Sequence, residues 1–254
     1  MAAKRKTAGV IGVLGGMGPM ATVDFMRKII SRTPASKDQD HLPVIAYSVP
    51  QVPDRSIAIV EGGESPLPAM IHGLRTLVRA GAECIAIPCN TAHHWYDDLA
   101  RESSVPVLHI VDATGAAMAR LGVDDGPVGL LATAGMLNVG IYQSRLASRG
   151  YTCILPDDGD METLVMPGIG LVKAGRMARA EELLRAAADN LLGRGAGAVI
   201  LGCTEIPVAL KDSDASGERY VDATRALAEA CVLWSRDRDR PPSETGETRE
   251  RQSA

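Results

Sequence analysis

Cys89 and Cys203 stand where chemistry is easiest to read. Cys89 follows the apolar run 85–87 in Pro88-Cys89-Asn90-Thr91, and Cys203 follows 198–201 in Gly202-Cys203-Thr204-Glu205. Two thiols facing one small substrate can take a proton from one side of a carbon and return one to the other side, inverting that carbon. A cysteine at or near a helix N-terminus meets backbone N–H groups and the helix dipole, and both favour the thiolate. From an unperturbed pKa of about 8.5, a modest downward shift leaves a useful thiolate fraction near neutral pH. A lowered pKa is therefore expected at both positions. The same N–H groups, with Asn90, Thr91, Thr133 and Thr204, offer donors for a carboxylate.

Such chemistry needs a scaffold that brings the two thiols together. Short apolar runs alternate with amphipathic stretches, which indicates an α/β protein built on parallel sheets. Strands are expected over 9–14, 44–48, 84–87 and 107–110, with helices over 22–31, about 69–80 and about 94–100. The order then repeats. Residues 128–131 run into Ala132-Thr133-Ala134-Gly135, 151–155 parallel 44–48, and 198–201 lead to Cys203. The tetrapeptide Val111-Asp112-Ala113-Thr114 returns as Val221-Asp222-Ala223-Thr224. The offset shrinks only from 117 (Ile11 to Val128) to 114 at the cysteines and 110 at the tetrapeptide.

That regularity predicts a duplicated unit. Two similar lobes, each a parallel sheet flanked by helices, would be related by a pseudo-twofold axis with the site in the cleft between them. The first lobe would take 7–112 plus about 208–234, and the second 113–207. Residues 235–254 are charged, contain proline and lack apolar periodicity, so they read as a disordered tail. Ligands of parallel sheets sit at the carboxyl ends of strands. The loops 15–19, 88–91, 132–135 and 202–205 all fall at such ends.

Composition removes other classes. The 254 residues carry a formal net charge of -4 with no basic block, which argues against a phosphate-tracking surface. One Phe, two Trp and five Tyr are too few for a base-stacking platform. Five widely spaced cysteines make a poor disulfide framework and suit a reducing, cytoplasmic setting. Cys84 and Cys153 fall in expected strands and Cys231 in a helical pattern, so these three read as buried, inert thiols. Lys4-Arg5-Lys6 ahead of 8–14 imitates a signal peptide, but that run breaks at Gly15-Gly16-Met17-Gly18-Pro19. No apolar run approaches the roughly 20 residues that span a bilayer.

Three motifs together carry a resemblance. Gly15-Gly16-Met17-Gly18-Pro19-Met20-Ala21-Thr22, Pro88-Cys89-Asn90-Thr91-Ala92-His93 and Gly202-Cys203-Thr204-Glu205 resemble the aspartate/glutamate racemase superfamily, most closely its aspartate racemase branch. The likeness runs from about Ala8 to Trp234. It implies racemisation of a small dicarboxylic amino acid by two thiols, without pyridoxal phosphate or metal. Aspartate is the substrate it implies most directly, with glutamate or a broader set as the alternative. It also implies a homodimer and closure of the lobes to exclude water.

Residue by residue, Cys89 and Cys203 match the acid/base cysteines of that superfamily. Asn90, Thr91 and Thr204 match residues that hold the substrate's carboxylates, and Met17 lies in the loop closing one side. Gln51 and Arg55, in Pro50-Gln51-Val52-Pro53-Asp54-Arg55-Ser56, match the aspartate racemase pattern. Thr133 matches a binding threonine of the second lobe, and Lys173 a basic residue associated with the side-chain carboxylate. The chain departs from the glutamate racemase branch in having Gly-Gly-Met-Gly where that branch has an acidic residue, and Glu205 where it has histidine. Glu205 could orient Cys203, relay its proton or anchor the loop. His93, close to Cys89, could line the pocket.

Rival readings are weaker on the residues. Gly16-x-Gly18-x-x-Ala21 fits a dinucleotide fingerprint, but the second strand ends Tyr47-Ser48-Val49-Pro50 without the acid that would hold a ribose. Cys89-x-x-x-His93 lacks the second pair that a zinc site needs. A non-catalytic small-ligand binding protein has no use for two matched thiols.

Overall fold

The structure is a computed structural model that describes residues 9–123, 125–210 and 220–237. The first half of the chain forms β1 (Ile11–Gly15), α1 (Pro19–Arg32), a 3-10 turn at Asp38–Asp40, β2 (Val44–Ser48), α2 (Arg55–Val60) and α3 (Leu67–Arg79). It continues through β3 (Cys84–Ala86), a 3-10 turn at Thr91–Trp95, α4 (Tyr96–Glu102) and α5 (Ile110–Arg120). The second half supplies β4 (Gly126–Leu131), α6 (Ala134–Val139), α7 (Ile141–Ala147), β5 (Tyr151–Ile154) and α8 (Asp158–Asp160). A π-helical turn at Met161–Val165 joins α8 to α9 (Met166–Lys173). Then come α10 (Met177–Gly193), β6 (Val199–Leu201), α11 (Ile206–Ala209), β7 (Tyr220–Asp222) and α12 (Ala223–Asp237).

Among the described residues the strands make two parallel sheets, ordered β2-β1-β3 and β5-β4-β6-β7. The first three strands of each sheet follow one order, as the repeat in the sequence predicts. All five residues of β1 are buried, which explains why this strand reads as a continuous apolar run rather than an alternation. Pro19 opens α1, where its missing N–H leaves no helical bond unmade. The turn ahead of it depends on Gly16. Its φ of +92° and a phantom Cβ only 2.3 Å from the Val49 nitrogen leave no room for a side chain.

Several boundaries differ from expectation. The strand expected over 107–110 contracts to a single bridge between Ile85 and Val107. There, the His109 side chain accepts the Val111 N–H and caps α5, so the chain turns helical. The helix expected near 94–100 is a 3-10 turn followed by α4. Residues 208–234 were expected in the first lobe, but β7 pairs with β6 in the second sheet while α12 packs on α1 and α5. Residues 235–237 belong to α12 rather than to a tail, and the rest of that expected tail lies outside the described residues. Cys84 and Cys231 are buried as expected, whereas Cys153 is only half-buried.

Among the described residues, three apolar clusters hold the molecule together. One lies on the outer side of each sheet, and the third is shared. It joins Ile11, Val13 and Phe25 of the first lobe to Val128, Leu130 and Tyr142 of the second, through Ile110 of α5 and Leu227 and Cys231 of α12. Beside it, Lys28 bridges Asp24 at 2.5 Å and Asp222 at 2.6 Å, all three nearly buried, and pins α1 to the end of β7. Among the described residues no helix is long and apolar enough to cross a membrane.

Candidate active site

One cavity sits at the carboxyl ends of the two sheets. It is lined by Met17, Asp54, Arg55, Ser56, Cys89, Asn90, Thr91, Thr133, Lys173, Cys203, Thr204 and Glu205. Its empty space is about 340 Å³, the open solvent at its mouth included. Each lobe contributes in the same way. The loops after β1 and β4 bring Met17 and Thr133, and those after β3 and β6 bring the cysteines. The connections after β2 and β5 bring one cation each, Arg55 and Lys173.

The lobes touch across the site. Thr91 Oγ1 lies 3.1 Å from Thr133 Oγ1, and Thr133 Oγ1 also accepts the Met136 N–H to cap α6. Thr133 therefore gives its proton to Thr91 or receives one from it, and the contact ties the two loops. Nearby, a Cβ on Gly135 would come to 3.0 Å from the Ser56 Cα, so a side chain there would push α2 back by a few tenths of an ångström.

The surroundings of the two thiols differ. The Cys203 Sγ donates to Glu205 Oε2 at 3.1 Å, and Thr204 Oγ1 donates to the same oxygen at 3.2 Å. Burial, then the Glu205 charge, pushes the Cys203 thiol well above the ordinary range. Burial also pushes the Cys89 thiol up, but the Arg55 guanidinium and the Ala92 N–H pull it back. The lowered pKa values expected of both cysteines are not found. The helices that follow are short, a five-residue 3-10 turn and the four-residue α11, and desolvation outweighs what they offer.

Two buried donors in the site lack partners: Asn90 Nδ2 and Arg55 Nε. The Arg55 Nη1 is held by the carbonyls of Val52 and Pro53, at 3.2 and 3.0 Å, which fixes the guanidinium at the mouth of the site. Lys173 reaches the cavity from the end of α9 but is exposed. The Asp54 carboxylate caps α2 by accepting from Ser56 and Ile57. Burial opposes ionisation there, yet those N–H bonds and Arg55 hold its pKa below the usual value.

Most of the residues singled out in the sequence converge here, with two exceptions. Gln51 is exposed on the turn after β2 and does not line the cavity. His93 does not line it either. Its Nε2 accepts the Ile110 N–H at 3.2 Å, so Nδ1 carries the proton and donates to the Cys89 carbonyl at 2.9 Å. With both ring nitrogens engaged, His93 braces the Cys89 loop from behind and is not disposed as a metal ligand. Asp54 and Ser56 were missed. Their signal was an Asp immediately before Arg55, a helix-capping type placed just after a strand.

A two-lobed parallel α/β chain with paired thiols, buried hydroxyl and amide groups and two cations in one cleft has the architecture of an isomerase acting on amino acids. The Asp/Glu/hydantoin racemase family profile matches residues 14–231, and the chain belongs to that family. The broad-specificity amino-acid racemase RacX of Bacillus subtilis (strain 168) is 30% identical over 88% of this chain and 96% of its own. A glutamate racemase of Ralstonia pickettii (strain 12J) is 28% identical, covering 86% of this chain and 73% of its own. Among solved structures, the Picrophilus torridus aspartate racemase superposes with a TM-score of 0.79 at 31% identity, covering 89% of this chain and 94% of that one.

Proposed function

We propose that this protein racemises aspartate without a cofactor, using Cys89 and Cys203 as the paired acid and base. The observation that carries this reading is the lining of one cavity by both thiols from equivalent loops of the two lobes. One cysteine, as thiolate, takes the α-proton; the other, as thiol, gives its proton to the opposite face. The two thiols thereby exchange protonation states while the carbon inverts. Arg55 and Ala92 N–H stabilise the thiolate of Cys89. Glu205, hydrogen-bonded to Cys203, takes that thiol's proton when Cys203 must act as the base.

Asn90 Nδ2, Thr91 and Thr204 serve the α-carboxylate and so stabilise the carbanionic transition state. Arg55 and Lys173 serve the side-chain carboxylate, since a dicarboxylate held in a buried site needs a second positive anchor. A broader substrate range is the second reading, and the similarity to RacX favours it. Assembly as a homodimer in the cytoplasm belongs to the same proposal, and light scattering of the purified protein tests the dimer.

The test is incubation with L-aspartate in D2O without pyridoxal phosphate, followed by chiral chromatography and mass spectrometry. D-aspartate carrying deuterium at the α-carbon is expected. A panel of other L-amino acids, glutamate included, measures the breadth of the pocket. Absence of exchange with every common amino acid sinks the proposal.

A further inference from the structure

Asn90 enters the cavity with half of its amide already committed. It is 2% exposed, its Oδ1 accepts a 2.7 Å hydrogen bond from Tyr142, and its Nδ2 has no partner. A buried donor left unpaired is costly, because it gives up water for nothing. On a cavity wall that cost is removed when a ligand brings an acceptor.

Tyr142 is not part of the cavity lining. It lies on α7 of the second lobe and is the largest fully buried side chain of the shared core. Its hydroxyl has one proton. The other nearby hydroxyl, Thr114, lies 3.4 Å away and donates to the Ile110 carbonyl at 2.8 Å. The Tyr142 proton goes to the Asn90 Oδ1 at 2.7 Å, the much shorter of its two contacts. Burial raises the phenol's pKa, so it remains a donor throughout the working pH range. An amide side chain can turn by 180°, exchanging its oxygen for its NH2 group. A donor fixed behind it selects the orientation with the oxygen at the back and the NH2 group at the front.

We infer that Tyr142 is a positioning residue. Through its hydroxyl, the second lobe sets the Asn90 amide, one residue from Cys89, as a hydrogen-bond donor to a substrate carboxylate. This rests on the reading that the cavity binds an amino acid. It adds a residue that the three motifs do not contain and that no cavity contact would reveal. It also gives the buried hydroxyl a role beyond packing, because phenylalanine would fill the same space.

The experiment is a double-mutant cycle on kcat/KM for racemisation, with thermal unfolding alongside to follow folding. Tyr142→Phe keeps the ring and removes the proton, and a fall of about tenfold in kcat/KM is expected, equivalent to about 1.4 kcal/mol. Asn90→Ala should cost at least as much, and adding Tyr142→Phe to it should cost nothing further. Coupling of this kind separates positioning from packing, since a packing defect lowers both backgrounds equally. Asn90→Asp gives a second route that leaves Tyr142 intact. It keeps an acceptor for the tyrosine but presents no donor to the substrate, and it should be as impaired as Asn90→Ala. Wild-type kinetics for Tyr142→Phe, independent effects in the cycle, or an active Asn90→Asp protein would each overturn the inference. A wild-type protein inert toward every amino acid would overturn the functional reading with it, whereas an active wild type with an unaffected Tyr142→Phe overturns this inference alone.

Discussion

Cys89 and Cys203 leave β3 and β6 in the same way, and from there the two loops diverge. Behind Cys89, the carbonyl is held by the His93 imidazole; behind Cys203, it is held by the Ile206 N–H of the next turn. The neighbours of the sulfur atoms differ in sign as well. Arg55 faces Cys89, whereas Cys203 donates to Glu205. Duplication explains why both thiols reach one cavity. In the proposed two-base reaction, which needs one sulfur charged and the other protonated, the divergence would let the two do opposite things at one moment.

The sharpest way to break this comparison is to remove each sulfur in turn. Cys89→Ala and Cys203→Ala should each lower racemisation by about a thousandfold or more, while Cys84→Ala leaves it unchanged, as chiral chromatography will show. If only one of the pair mattered, the loops would not be functional counterparts.

The brace behind Cys89 has no imidazole counterpart behind Cys203, and that asymmetry should appear as acid sensitivity. Burial lowers the His93 pKa from 6.5 to about 4. Between those values the unfolded chain binds a proton that the folded one refuses. The contribution is complete above pH 6.5 and lost as pH falls through about 4, to the extent of about 3 kcal/mol. Urea unfolding at pH 7 and pH 4.5 measures it together with that of the neighbouring His109, whose pKa burial lowers to about 2, and His93→Gln should shrink the difference without abolishing it.

The cations sharpen the contrast further. Arg55 is fixed by two backbone carbonyls, whereas Lys173 is exposed. Arg55→Ala should therefore raise the KM for aspartate by more than tenfold, and Lys173→Ala by less. Glu205→Gln removes the anion beside Cys203. The pH midpoint for alkylation of Cys203 should fall, with a smaller fall at Cys89, read by peptide mass spectrometry. The smallest expected effect is Thr133→Ala, which loses a helix cap and the bond to Thr91. A loss of about 1 kcal/mol in unfolding free energy is expected.

The sequence made the duplication legible because parallel strands buried on both faces leave unmistakable apolar runs, and because glycine loops mark their ends. From those, the positions of Thr133 and both cysteines followed, while Met17 came from the family resemblance. What stayed hidden depended on contacts between distant segments. Gln51 shares a motif with Arg55, yet the turn points it outward. Tyr142 and His93 sit in apolar surroundings, and only the packed core reveals which polar atoms they meet. The thiol pKa values were misjudged because helix proximity can be read locally, whereas desolvation depends on everything that covers the site. The assignment of β7 failed for a related reason. Sequence order says that a segment returns, but not which sheet edge receives it.

The shared core has a consequence for how this duplicated chain folds. α5 and α12 bury their apolar faces against each other and against both sheets. A half cut from the whole would therefore expose a surface that the other half normally covers. Although the sequence reads as two units, neither is an autonomous folding domain, and the chain should unfold in a single cooperative transition with matching calorimetric and van't Hoff enthalpies. The arrangement of the two sulfur atoms is then no more adjustable than the core itself.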